Sequence, residues 1–276
     1  MTTPTVRPQP PQRVRSAYVD WLQQRLSARD WNVAQTVNLL RIASGQQLER
    51  LCFAELADGR SRTVTRSRVL ARLVAWRVLM PVGRRVGGSG RGSTVQAFAL
   101  DSGGQRLMER RQLAAAQRVR VRRPGAPGDR TTAHLLAVSE LYATLVETSH
   151  AENVTLDHFV AEPGAWWPNG LGGRLKPDAY AVLARPGARD HWWIEVDLAT
   201  ESLPTVKAKL QAYLDFQQRG ERGPEDVTPW VLVSTVTERR RDAIAATVRR
   251  LPGAAGLVTV VTSTGAAARM VEVLRE

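Results

Sequence analysis

The sequence predicts an α+β protein in two parts, a basic helical N-terminal part and a C-terminal part built on a mixed sheet. Charge is one reason. Residues 1–130 hold 24 Arg and no Lys against 8 acids, net +16, whereas residues 131–276 hold 15 basic residues against 18 acids, net −3. Periodicity is the second. Apolar residues recur at helical spacing up to about residue 113, and short apolar runs of strand length alternate with helical patterns from residue 154 onward. The third is a joint. Residues 114–130 carry Arg118, Arg120, Arg122, Arg123 and Arg130 around Pro124-Gly125-Ala126-Pro127-Gly128, the composition of a charged linker.

Residues 1–27 read as a Pro-rich leader and an amphipathic helix carrying Val14, Tyr18, Trp21, Leu22 and Leu26. Asp30 is expected to cap a second helix with Trp31, Val33, Val37 and Leu40, and Gln46 to Leu56 a short third one. The stretch from Ser61 to Val78 places Val69, Leu70, Leu73, Val74 and Trp76 on one face. Thr65, Arg68 and Arg72 lie on another, with Arg62 and Arg66 beside them. An apolar stripe backed by guanidinium forks suits a helix that packs on its domain and offers Arg to phosphates or guanine edges. Two strand candidates, Leu79–Arg85 and Thr94–Leu100, flank a glycine-rich tip that holds Arg84, Arg85 and Arg91. With a further helix from Ser102 to Leu113, residues 28–113 resemble a winged helix-turn-helix, whose wing would reach along the DNA backbone. The glycine-rich tip lacks the Gly-Lys-Ser/Thr ending of a P-loop.

Residues 131–276 open with a helix over Thr132–Thr148. Strands follow at 154–160, 177–184 and 191–198, the last two joined by Arg185-Pro186-Gly187. Ser202 is placed to cap a helix to Gln218. A strand at 230–234, a helix at 238–250, a strand at 257–262 and a closing helix complete the order. Within this part, Pro177-Asp178 begins one strand and Glu195-Val196-Asp197 lies on the next. Strand side chains alternate, so Glu195 and Asp197 share a face. Hard oxygen ligands grouped in this way suit Mg²⁺ or Mn²⁺. All three lysines of the chain, Lys176, Lys207 and Lys209, fall in this same stretch of an otherwise Arg-using protein. Lys207 and Lys209 stand about 200° apart around a helix, so one of them at most faces the carboxylates.

A leading helix, a three-strand meander bearing Pro-Asp and Glu-x-Asp, and a following helix with lysine resemble the PD-(D/E)xK nuclease core. The whole arrangement, from His134 through Pro177-Asp178-Ala179 to Thr200-Glu201-Ser202, Lys209-Leu210 and Tyr213, resembles the actinobacterial replication-relaxation family of plasmid replication and mobilisation. That resemblance implies Asp178 and Glu195 as metal ligands, with the Val196 carbonyl as a third and Glu140 adding a carboxylate. It implies catalytic roles for Asp178, Glu195 and the residue at the motif's lysine position. Asp197 occupies that position here, which leaves Lys209 or Lys207 to stand in.

Two readings lead, ahead of a protein-interaction module with no DNA role. One is a protein of plasmid replication or transfer that binds double-stranded DNA and nicks or cleaves it with Mg²⁺ or Mn²⁺. The other is a non-catalytic DNA-binding accessory or regulator whose nuclease-like domain serves dimerisation or partner docking. A homodimer on paired half-sites and replication or mobilisation proteins are the expected partners. Composition narrows the rest. A single cysteine, Cys52, excludes an internal disulfide and a cysteine metal cage. No apolar run reaches membrane-spanning length and the start is polar, so a cytoplasmic protein with no membrane role is expected.

Overall fold

The structure, a computed structural model, describes residues 13–82, 96–114 and 128–276. They form two compact units, Met1–Leu136 and Ala137–Glu276. The division falls inside a helix that begins at Asp129, beyond the Pro/Gly joint, most of which lies outside the described residues.

The first unit contains α1 (Ser16–Arg25), α2 (Ala28–Leu40), β1 (Ala43–Ser44), α3 (Gly45–Cys52), α4 (Arg60–Ala75), β2 (Leu79–Val82), β3 (Ala97–Leu100) and α5 (Ser102–Ala114). The cap of α2 differs from the expectation. Ser27 is the N-cap, its hydroxyl accepting from the Asp30 N–H, while the Asp30 carboxylate accepts from the Ser27 N–H. Asp30 is therefore the third helical residue of a capping box. Ser44 and Gln47 repeat the device at the start of α3. Each such cap satisfies otherwise orphaned N–H groups and stabilises its helix by about 1 kcal/mol.

Val33, Val37 and Leu40 of α2, Leu48 of α3 and Leu70 and Leu73 of α4 are buried together with Leu79 and Phe98 of a three-stranded antiparallel sheet in the order β1-β3-β2. The two-residue β1 is too short to leave a period-two signal, and the sequence did not reveal it. Gly104 lets α5 start hard against the turn between α4 and β2, since a Cβ there would collide with the Val78 carbonyl. Arg84, Arg85, Arg91 and the glycine-rich tip between β2 and β3 lie outside the described residues.

The second unit takes in most of α6 (Asp129–Ala151), then β4 (Thr155–Ala161), β5 (Trp167–Pro168), β6 (Arg174–Leu175), β7 (Ala179–Arg185), β8 (Ala188–Asp197), α7 (Leu203–Gln218), β9 (Trp230–Thr235), α8 (Glu238–Val248), β10 (Val258–Thr262) and α9 (Ala266–Val273). The five-stranded sheet has the order β10-β9-β8-β7-β4. β4, β7 and β8 are antiparallel neighbours, and β8, β9 and β10 run parallel. Parallel neighbours need a crossover, and α7 and α8 supply one each. One short hairpin, β5–β6, lies between β4 and β7.

Along β8, Trp192 to Val196 are all buried, as befits a central strand covered on both faces. On one face Trp193 packs with Tyr180, Val231 and Val233, and with Leu210, Tyr213 and Phe216 of α7 and Ile244 of α8. The Trp193 ring lies 5.4 Å from those of both Tyr213 and Phe216. Among the described residues no helix is long and apolar enough to cross a membrane.

Candidate functional site

Alternation along β8 sets the position of the site. Glu195 and Asp197 follow Trp193 on the face covered by α7 and α8, near the C-terminal end of the strand. The register Ala179↔Ile194 puts Asp178 beside them at the entrance to β7. The Asp178 N–H donates to the Ile194 carbonyl (2.9 Å), and its side-chain Oδ2 accepts from the Val196 N–H (2.7 Å). The carboxylate thus stands in for a backbone carbonyl at the end of the ladder. Asp178, Glu195 and Asp197 are each more than nine-tenths buried.

Helix α7 delivers the partners. Lys209 and Tyr213 are four residues apart, so they share a helix face. The Tyr213 hydroxyl donates to Glu195 Oε1 (2.6 Å), and Lys209 Nζ lies 3.5 Å from Glu195 Oε2. Glu201, just ahead of α7, holds the same ammonium at 2.9 Å. Lys207 is exposed on another side of the helix. Of the two candidate lysines, Lys209 meets the acidic pair.

Burial pushes the Glu195 carboxyl up, and the neighbouring Asp178 charge pushes it further. Lys209 and the Tyr213 hydroxyl oppose this, and the result is about 7. Lys209 is raised despite its own desolvation, chiefly by the charge of Glu195 and by Glu201. Burial and Glu195 hold the Tyr213 hydroxyl far above its ordinary range, so it remains a donor.

Asp197 is engaged elsewhere. Arg240 of α8 meets it with two nitrogens, Nε to Oδ2 at 2.5 Å and Nη2 to Oδ1 at 3.2 Å, and the Ala199 N–H donates to Oδ1 at 3.0 Å. Arg240 also reaches the Glu201 carbonyl (2.7 Å). This bidentate pair ties the end of β8 to α8 and to the turn before α7. Sequence reasoning gave Arg240 no role, because nothing local links it to a residue 43 positions earlier. The four-residue spacing of Tyr213 from Lys209 was the available signal for the tyrosine.

Asp178 and Glu195 are the side chains that could serve a small hard cation. Two carboxylates from neighbouring strands repel one another at a buried point, and Mg²⁺ is commonly held by one or two carboxylates, with water and substrate phosphate completing its shell. Among the described residues, no group of three or more His, Cys, Asp or Glu side chains is placed to hold a metal ion. Glu140, the expected extra carboxylate, is an exposed residue of α6. His134 is a half-buried residue of the same helix, and His191 is buried, its Nδ1 2.6 Å from the Tyr180 hydroxyl.

In the first unit, the arginines of α4 divide into two sets. Arg62 donates to the Leu56 carbonyl (Nε, 2.8 Å) and pairs with Asp58, and Arg66 pairs with Glu49 at 2.6 Å. Arg72 pairs with the buried Asp30 at 2.6 Å and lies over the Trp76 ring. Arg68 is exposed and makes no ion pair among the described residues. Arg60, Val64 and Arg68 follow one another at four-residue spacing on the exposed side, with the half-buried Thr65 beside them.

The replication-relaxation family model matches residues 35–231 of this chain. The chain belongs to the replication-relaxation family. The family match runs from within α2 to the start of β9, so it includes α4, Asp178, Glu195, Lys209 and Tyr213 and ends before Arg240. No curated protein and no solved structure matches this replication-relaxation chain.

Proposed function

We propose that this replication-relaxation protein binds duplex DNA through its first unit and nicks or cleaves it with Mg²⁺ or Mn²⁺ at the acidic site of its second, in plasmid replication or transfer. The observation that carries this reading is the meeting of Lys209 with Glu195 beside Asp178. It supplies the acid–acid–lysine set of a PD-(D/E)xK site even though Asp197 occupies the usual lysine position. The order of α2, α3, α4, β2 and β3 is that of a winged helix, and the exposed Arg60 and Arg68 of α4 supply the cationic face such a helix presents to DNA.

Asp178 and Glu195 are the residues that would hold the ion. When bound, it would polarise the phosphate and lower the pKa of an attacking water. Lys209, kept near by Glu201, would hold a water or phosphate oxygen beside Glu195 and offset negative charge there. Tyr213 donates to the Glu195 carboxylate, and Arg240 pairs with Asp197, which would leave Asp197 out of the reaction.

A second reading is a DNA-binding accessory protein without cleavage, whose second unit docks a replication or mobilisation protein or a second copy of the chain. One observation favours it. Asp178, Glu195 and Asp197 all have partners within the protein.

Supercoiled plasmid incubated with the protein in Mn²⁺, Mg²⁺ or EDTA decides between them. On the first reading wild type gives nicked circles only with metal. Asp178→Ala, Glu195→Ala and Lys209→Ala lose about 10²-fold or more, while Lys207→Ala keeps activity. A retarded but intact plasmid under every condition, with wild type and variants alike, selects the accessory reading.

A further inference from the structure

The segment that leads into Asp178 carries an apolar side chain held out in solvent. Among the described residues, Leu171 is 70% exposed, more than Val64, Trp230 and Val236, the other exposed large apolar side chains. A lone exposed leucine is ordinary on a loop. This one is fixed in place. It sits at the tip of the β5–β6 hairpin between Gly170 and Gly172, both in the left-handed region (φ +75° and +80°) that lets the chain turn so tightly.

The Asn169 side chain accepts from the Leu171 N–H (3.0 Å) and the Gly173 N–H (2.9 Å), and the Asn169 N–H donates to the Gly173 carbonyl (3.1 Å). At the base, Arg219 donates to the Asn169 carbonyl (2.8 Å) and Trp167 Nε1 to the Arg222 carbonyl (2.9 Å). The two tryptophans of this segment are committed to the protein. Trp167 packs on the core, and Lys176 covers the Trp166 ring at 5.2 Å.

The charge around the tip is mostly positive. Arg174, Lys176 and Arg222 are exposed, and Glu221 is the acid nearest the turn, behind Gly170. A rigid apolar tip between cationic flanks complements a polyanion with stacked apolar planes inside, which describes duplex DNA. Apolar wedges of this kind part base steps while Lys and Arg hold the backbone. Only Lys176 and Pro177 separate the end of β6 from Asp178.

We propose that the β5–β6 hairpin is a DNA wedge, inserting Leu171 between base pairs, with Arg174, Lys176 and Arg222 on the flanking backbone. This rests on the reading that the second unit acts on DNA. Its effect is to unstack and unwind the duplex locally.

Unwinding is measurable without knowing the DNA site. Full-length protein is bound to relaxed, covalently closed plasmid in EDTA, where no metal-dependent cleavage occurs, and a metal-independent topoisomerase relaxes the complex. The DNA is then stripped of protein and its topoisomers separated. Wild type is expected to lower the linking number in proportion to protein bound. Leu171→Ser is expected to lose most of that change at equal occupancy and unchanged melting temperature, and Val236→Ser to keep it. A wild type that retards the plasmid yet leaves linking number unaltered overturns the wedge and leaves DNA binding standing, as does a Leu171→Ser protein that unwinds like wild type. A wild type that fails to retard the plasmid at all overturns both.

Discussion

Glu195 is an acid kept in a place that disfavours its charge. Its carboxyl is moved from an ordinary 4.5 to about 7, by burial first and by Asp178 second. Between those two pH values the folded protein holds a proton that the unfolded chain has released. Stability from this group is therefore greatest at low pH and is lost as pH rises through 7. In EDTA the melting temperature of wild type should decline from pH 5 to pH 8 by a step that Glu195→Gln lacks. Parallel profiles for the two proteins would show that Glu195 titrates as an ordinary carboxyl. At this scale the sequence displayed the acids but not their assignments. Asp178, Glu195 and Asp197 are equivalent in a strand pattern, and only the fold shows Asp197 neutralised by Arg240 while Glu195 receives Tyr213 and Lys209.

Among elements, α4 and α7 make the same point in different ways. The apolar stripe of α4 was legible, and so was the richness of its other faces in arginine. Which arginines remain available was not, because their partners, Asp30 and Glu49, belong to other helices. Arg68→Ala should leave the melting temperature nearly unchanged, weaken DNA binding and reduce its dependence on log salt by about one. Arg72→Ala should instead cost about 1–2 kcal/mol in chemical denaturation, since buried Asp30 loses its cation, although the solvent around half-exposed Arg72 tempers the loss. Equal stability of the two variants would refute this division of the helix. On α7, the choice of Lys209 over Lys207 followed from helical geometry once the buried face was known, and that face was readable from Val206, Leu210 and Tyr213.

For the molecule as a whole, segregated charge is the feature most plainly written in the sequence. A net +16 over residues 1–130 against −3 over the rest concentrates the attraction for a polyanion in one part of the chain. Plasmid retardation should accordingly weaken by about tenfold or more between 50 and 200 mM salt. Retardation indifferent to salt would contradict a phosphate-dominated interface. The mixed sheet was legible as well, because parallel strands must be separated by crossover helices and the antiparallel meander by tight turns. The β5–β6 hairpin was not. Two-residue strands carry no period, and Asn169, Arg219 and Trp167 hold it together through bonds to distant backbone.

The bond from the Val196 N–H to Asp178 Oδ2 has a bearing on ion binding. That bond fixes the carboxylate in line with the strand ladder, so Asp178 does not turn freely toward its neighbours. An ion bound as proposed would meet a group whose rotation is already given up, and binding would cost correspondingly less ordering entropy.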